Sequence, residues 1–373
     1  MQSQKPAIQN SYVSPGMPPL KLGKTTSFFE FWPSWLTYTP IVIQWILLSI
    51  RYRSLTLPLI ANPQLPLSGM VGIGKSELFS QATGELNKSI LPWFAVEKNE
   101  DLLSDQIQNI KHQIEIKNFS YPLVCKPDIG CRGVGVKLIK NDKELMKNFR
   151  FYPTGAKMVV QKLANYEPEA GIFFTRHPDE KEGRIISLAL KYTPYVIGDG
   201  NHTLAELIAN DERASQVTHL YESRHKDNWQ TIIPAGEPYR LVFSASHSKG
   251  AIFRDANHLI TDELNNKLTA LLADLPDFHY GRLDVKFKNI DSLKKGEHLQ
   301  IVEINTASSE PLHIWDSNTN LRQAMSALLF QYKLLFQFGH ANRAKGYHPP
   351  SIKKLIKHWR LELRLSSFYA ETD

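Results

Sequence analysis

YPLVCKPDIGCRGVGV, residues 121–136, opens with a short apolar run, Pro122-Leu123-Val124-Cys125, then Lys126-Pro127 and a loop holding Gly130, Gly133 and Gly135. Val134, Val136, Leu138 and Ile139 follow as a second strand. Closely spaced glycines let the backbone bend tightly and bring N–H groups against an anion, and a lysine ending the preceding strand adds a point charge suited to a phosphate. A glycine-rich hairpin with one surface lysine is the equally simple reading. The rest of the chain decides between them.

The chain has 373 residues, 42% apolar and 22% charged, enough for two or three compact units and unlike a disordered protein. A net charge of +7 favours anionic partners: phosphates, a membrane surface or nucleic acid. Cys125 and Cys131 are too few for a disulfide framework and lack zinc-site spacing, so a reducing, cytoplasmic compartment is expected. Residues 1–27, polar and holding Pro15, Pro18 and Pro19, read as a flexible lead-in without a secretory signal.

Phe31 to Ile50 is twenty residues without a charge, bounded by Glu30 and by Arg51 and Arg53. The length just suffices for a membrane span, but Pro33 and Pro40 are expected to interrupt a helix and several polar residues dilute the run. Trp32, Trp35, Tyr38 and Trp45 favour the headgroup level. Residues 28–70 therefore read as an apolar, membrane-docked or re-entrant segment, with a true span and a protein-buried helix as alternatives.

Gly69 to Ser76 matches G-x-x-x-x-G-K-S letter for letter. A P-loop needs a buried strand feeding it, and the feeder here carries Pro63 and Pro66. A glycine turn into a helix N-terminus is expected, with Lys75 still available to a phosphate. Residues 101–117 and 142–149 read as helices. Lys157 to Leu163, Glu169 to Phe174 and Ile185 to Lys191 read as strands joined by short turns, the grammar of an antiparallel sheet. In Gly198-Asp199-Gly200-Asn201-His202-Thr203, Asn201 or Thr203 is placed to cap a helix, and His202 lacks a second metal ligand at helical spacing.

Tyr280 to Phe287 and Leu299 to Asn305 alternate as strands. Arg282, Asp284 and Lys286 share one face of the first; Glu303 and Asn305 share one face of the second. Paired antiparallel, they would gather Asp284, Glu303 and Asn305 into an all-oxygen cluster suited to Mg²⁺, or form a solvated charged face.

In combination these pieces resemble the ATP-grasp superfamily of carboxylate–amine ligases over roughly residues 70 to 325. The resemblance is carried by Lys126-Pro127, the Gly130/Gly133/Gly135 loop, Gln161-Lys162-Leu163, Glu169, Lys191, Arg282-x-Asp284 and Glu303-x-Asn305. Residues 76–93 look like D-alanine–D-alanine ligases. The stretches 196–208, 233–236 and 244–255 are closer to cyanophycin synthetase and bifunctional glutathione synthetase.

The resemblance implies an α+β ATP-grasp fold: two lobes with mainly antiparallel sheets sandwiching ATP, behind an apolar N-terminal segment. The divisions it suggests are 71–120 as pre-grasp helices, 121–190 as lobe 1, 191–340 as lobe 2 and 341–373 as a basic amphipathic helix. It implies that Lys126 and Lys191 hold ATP phosphates under the glycine loop. Gln161, Lys162, the backbone near Leu163 and Glu169 would take adenine and ribose. Asp284, Glu303 and Asn305 would hold Mg²⁺ or Mn²⁺, and Arg282 and Lys191 would serve catalysis. The activity implied joins a small-molecule or peptide carboxylate to an amine through an acyl phosphate. A phosphotransferase or a non-catalytic, membrane-associated nucleotide-binding protein stands as the alternative. Family ligases usually carry an α/β domain ahead of the grasp unit, and residues 1–70 do not read as one. Ser244 to Gly250, with His247 and Lys249, sits where such ligases position substrate, or is a mobile surface loop.

Beyond Pro349-Pro350, Ile352, Leu355, Ile356, Trp359 and Leu363 share one helix face amid Lys353, Lys354, Lys357, Arg360 and Arg364. That pattern suits an anionic membrane surface, peripheral on its inner face, or an acidic partner; a helix closing the core is the plain alternative. Nucleic acid is not expected, because no recognisable module interleaves basic and stacking residues.

Overall fold

The computed structural model describes residues 12–20, 27, 29, 32–130, 134–244, 246, 249–369 and 372. Strands in chain order are β1 Trp93–Glu97, β2 Leu123–Pro127, β3 Lys137–Ile139, β4 Lys157–Lys162, β5 Glu169–Thr175, β6 Arg184–Tyr192, β7 Tyr195–Ile197, β8 Pro238–Arg240, β9 Ile252–Asp255, β10 Tyr280–Phe287 and β11 Leu299–Asn305. Helices are α1 Ser34–Tyr52, α2 Lys75–Ser80, α3 Gly84–Ser89, α4 Leu103–Ile116, α5 Asp142–Phe149, α6 Leu204–Asn210, α7 Thr218–Arg224, α8 Asp262–Leu271, α9 Ile290–Lys295, α10 Leu321–Ala344 and α11 Ile352–Ser366.

The fold is α+β, and its sheets are antiparallel. One has the order β1-β4-β2-β3, the second β11-β10-β5-β6-β9, and β7 pairs with β8. The first sheet buries Phe94, Leu123, Cys125, Met158 and Val160 against Ile107, Ile110 and Ile114 of α4 and Leu145 and Phe149 of α5. Asn141 caps α5 by accepting from Glu144 N at 3.0 Å, the role its short side chain suits. In the second sheet, Ala170, Ile172, Phe174, Leu283, Val285, Ile301 and Ile304 turn one face into the largest apolar cluster. The alternation then leaves the charged positions on the other face.

Strand pairing puts β5 and β6 in the second sheet, beside β10, so the chain changes sheets at the turn after Lys162. The division suggested by the motifs, 121–190 against 191–340, splits that sheet. β1, from the stretch read as pre-grasp helices, is an edge strand of the first sheet.

Several expectations change. Within the proline-rich lead-in, residues 12–20 lie against the body: Val13, Met17 and Leu20 pack on the second sheet's core and Tyr192 Oη donates to Pro18 O at 3.1 Å. Burial of those three apolar residues outweighs the prolines' signal for a loose chain. Residues 1–11 and 21–26 lie outside the described residues. Pro40 sits inside α1 without ending it, while Pro33 stands at the N-cap. Packing along α10 holds the helix: the Trp45 ring meets Phe336 edge-on at 5.1 Å, Tyr52 stacks on Phe336 at 6.0 Å, and Arg343 donates to Tyr52 O at 2.9 Å. Among the described residues no helix is long and apolar enough to cross a membrane.

The P-loop letters are not fed by a strand. Short 3₁₀ turns, Leu57–Ile60 and Pro66–Gly69, precede them, and Gly69 and Gly72 take positive φ at a turn into α2. Thr203, rather than Asn201, caps α6 in a capping box with Glu206. His202 pairs with Asp199 at 2.5 Å, in a turn where Asp199 also accepts from the Asn201 and His202 amides.

Candidate active site

The register of the second sheet assembles three rows of facing residues. Lys191, Glu169, Lys286 and Gln300 form one; Gly171, Asp284 and Glu303 the next; Phe173, Arg282 and Asn305 the third. Directly opposed residues point to the same face, so the alternation read in β10 and β11 becomes one charged surface. Asp284 and Glu303 are immediate cross-strand neighbours. A bulge after Asp284 resets the register so that Lys286 faces Gln300.

The charges interlock. Arg282 Nε donates to Asp284 Oδ1 at 2.7 Å and its Nη1 to Glu310 O at 3.1 Å. Lys191 lies 3.4 Å from Asp284 Oδ2 and bonds Glu169, which also takes Lys286 at 2.8 Å. Burial alone would raise the Asp284 carboxyl, but Arg282 and then Lys191 hold it below the usual carboxylate range. For Glu169, burial is likewise outweighed by Lys191 and Lys286, and the carboxyl sits well below that range. Burial would lower the Lys191 ammonium, yet Asp284 and Glu169 carry it above the ordinary lysine value. Gly171 makes room: a Cβ there would stand 2.6 Å from Leu312 Cδ1 and 3.3 Å from Arg282 Cδ.

Two more lysines reach this surface. Lys126, at the end of β2, is buried and donates to Gln161 Oε1 at 2.8 Å and across to Val302 O of β11 at 2.9 Å, tying the two sheets together. Burial pushes its ammonium down to about 8, with Glu303 opposing and Lys75 adding to the fall. Lys75 enters from the turn that mimics a P-loop, donating from Nζ to Gly130 O at 2.9 Å and lying 3.6 Å from Glu303. Its turn is pinned by Asp128, whose carbonyl accepts from Lys75 N at 3.0 Å and whose side chain accepts from Ser76 N at 2.7 Å.

The fate of the other expected residues is mixed. Gly130 and Gly135 flank the loop; Gly135 has φ +74° with Pro127 and Tyr369 packed against it, a conformation and a space for glycine. Gly133 and Cys131 lie outside the described residues, as does His247. Gln161 spends both ends of its amide inside the protein, accepting from Lys126 and donating to Leu91 O at 3.3 Å. Lys162 Nζ lies over the Phe119 ring at 5.0 Å, and its amide donates to Pro92 O at 2.9 Å. Glu169 is clasped by lysines instead of standing open to a ribose. Leu163 is half-buried in the turn between the sheets. In the 244–250 loop the Lys249 carbonyl accepts from Tyr221 Oη at 2.9 Å, and burial, aided by Arg224 and Lys137, pushes the Lys249 ammonium down to about 8. Cys125 is a buried thiol that burial pushes up to about 12. Lys286 joins the site unassigned by any motif, although its place in the Arg282-x-Asp284-x-Lys286 alternation announces it.

Whether these residues fit a divalent cation is tested by the donor set. Asp284, Glu303 and Asn305 offer only hard ligands on adjacent strands. The Asn305 amide nitrogen is buried without a hydrogen-bond partner, and turning that amide over presents an oxygen at the same place. Among the described residues no three His, Cys, Asp or Glu side chains form a metal cage by themselves. That suits Mg²⁺, which takes few carboxylates and completes its shell from phosphates and water.

The fold and cluster define an α+β protein whose two larger antiparallel sheets are joined over a buried set of lysines, an arginine and carboxylates. No protein-family model matches the chain, and no curated protein does. Among solved structures it is similar to a bifunctional glutathione synthetase from Pasteurella multocida, at 16% identity and TM-score 0.34 over 68% of this chain and 35% of that one. It is also similar to the D-alanine–D-alanine ligase from Bacillus anthracis (14%, TM-score 0.38, 74% and 73%) and the VanG D-Ala:D-Ser ligase from Enterococcus faecalis (11%, TM-score 0.39, 74% and 64%). The chain thus spans about a third of the glutathione synthetase's length.

Proposed function

We propose that this protein is an ATP- and Mg²⁺-dependent ligase of the ATP-grasp kind, activating a carboxylate and joining it to an amine. One observation carries the reading. On the second sheet Lys191, Lys286 and Arg282 balance Glu169, Asp284 and Glu303, and Lys126 and Lys75 then add two positive charges to the same buried surface. A desolvated excess of cations beside hard oxygen ligands favours a polyphosphate with its divalent metal.

In this reading Lys126, Lys191 and Lys75 bind the phosphates, with Gly130 beside Lys75. Lys126 donates to Val302 O, so nucleotide entry requires the sheets to part there and the ammonium to exchange the carbonyl for phosphate oxygens. Gln161 acts by orienting Lys126, and adenine recognition falls to the backbone near Leu163. Asp284, Glu303 and Asn305 would hold the metal, which when bound neutralises phosphate charge and polarises the transferred phosphoryl group. The substrate carboxylate attacks the γ-phosphorus, ADP leaves, and the amine displaces phosphate from the acyl phosphate. Arg282, oriented by Asp284, would stabilise the oxyanion formed in that second step.

Incubating purified protein with ATP, Mg²⁺ and pooled carboxylates and amines should release ADP and phosphate in step with an amide detected by mass spectrometry. A phosphorylated product without amide would replace the ligase reading with phosphotransfer. No nucleotide turnover and no ATP binding would remove it.

A further inference from the structure

α1 packs one side on α10 and turns the other outward. Trp35, Leu36, Val42, Ile43, Ile46, Leu47 and Ile50 recur at helical spacing and are all exposed, from 42% at Leu36 to 71% at Trp35. Ile41, by contrast, is buried and Trp45 lies on Phe336 and Tyr332. A contiguous apolar stripe along a 19-residue helix, about 28 Å long at 1.5 Å per residue, is larger than a solitary soluble chain ordinarily shows.

The charge around it selects the occupant. Neither α1 nor α10 contains an aspartate or glutamate, while Arg51, Arg322 and Lys333 are exposed on the pair and Arg53 follows α1. Phe330, exposed on α10, adds to the apolar surface. A second copy would bring the same acid-free, cationic layer to meet itself. An anionic lipid surface offers both an apolar interior for the stripe and negative headgroups for the arginines and lysine. Trp35 belongs to the residues that settle at headgroup depth.

We propose that α1 lies flat in the headgroup region of an anionic bilayer and attaches the protein there peripherally. The helix is partly embedded by its outward stripe while its other side stays on α10. This attachment stands apart from the ligase reading and survives its failure.

The test is co-sedimentation of the full chain with vesicles of phosphatidylcholine alone or mixed with phosphatidylglycerol. Wild type should partition to the mixed vesicles, less so at high salt. Ile43→Glu with Leu47→Glu should weaken that partitioning by about tenfold or more, with an unchanged melting temperature. Trp359→Glu with Leu363→Glu on α11 should partition as wild type. Because the α1 variant can misfold, hydrogen exchange of residues 42–50 in wild type should also slow when anionic vesicles are added. Absence of wild-type binding, unchanged binding by the α1 variant, loss confined to the α11 variant, or unaltered exchange would each overturn the proposal. So would a concentration-dependent dimer that the α1 variant abolishes, since a second copy would then cover the stripe.

Discussion

Lys75 Nζ lies 3.6 Å from the Glu303 carboxylate, although one residue opens α2 ahead of the first sheet and the other belongs to an edge strand of the second. The turn copies the letters of a P-loop without its strand. Its lysine nonetheless arrives at the charged face of the second sheet by another route, with Asp128 fixing the backbone and Gly130 O taking one ammonium hydrogen.

Lys75→Ala should therefore lower kcat/KM for ATP by about 10- to 100-fold, as loss of a charge-assisted contact does, with little change in melting temperature. Ser76→Ala should stay within about twofold, because Ser76 contributes its amide to Asp128; a P-loop would instead need that hydroxyl on the metal. Steady-state kinetics of the two variants decide between the readings.

Glu303→Gln is the cleaner probe of the proposed metal site. It should shift the Mg²⁺ dependence of ATP turnover to much higher concentration while leaving the fold intact, since Glu303 is a third exposed and among the described residues its ion pair is with Lys75, 3.6 Å away. Asp284→Asn should abolish turnover outright, and at a cost of about 3–5 kcal/mol in stability, because Arg282 and Lys191 are then left buried beside a neutral partner. Metal titration and chemical denaturation of both variants measure the difference.

Nucleotide affinity should fall as pH rises through about 8, where Lys126 loses its proton in the free protein. The limit from this one group is tenfold per pH unit, and Lys126→Met should bind weakly with no such dependence. Stability runs the other way. The folded-state value lies below the ordinary 10.5, so between about 8 and 10.5 the unfolded chain holds more protons and raising the pH relieves the penalty of a buried charge. Calorimetric titration with ATP and thermal melts from roughly pH 7 to 10 test both signs.

Gly171→Ala should cost about 1–3 kcal/mol through overpacking against Leu312, and activity should fall further than stability does because the added methyl presses on Arg282. A variant with a lowered melting temperature but wild-type kcat would detach Arg282 from the chemistry.

Much of the architecture was legible locally. Period-two alternation in 280–287 and 299–305 announced which side chains share a face, Asp284 and Glu303 among them. The apolar twenty-residue run announced an apolar partner, but its prolines argued against the continuous helix that α1 forms. The tertiary structure decided the rest. Pairing of β5 with both β6 and β10 set Glu169 between Lys191 and Lys286, and Lys126 found Val302 O, 176 positions away in sequence. Lys75 came to Glu303, and α1 laid one side on α10 while leaving its other side outward. A side chain's face follows from the backbone period of its own segment. Its partner follows from register and packing between distant segments, which no local spacing encodes.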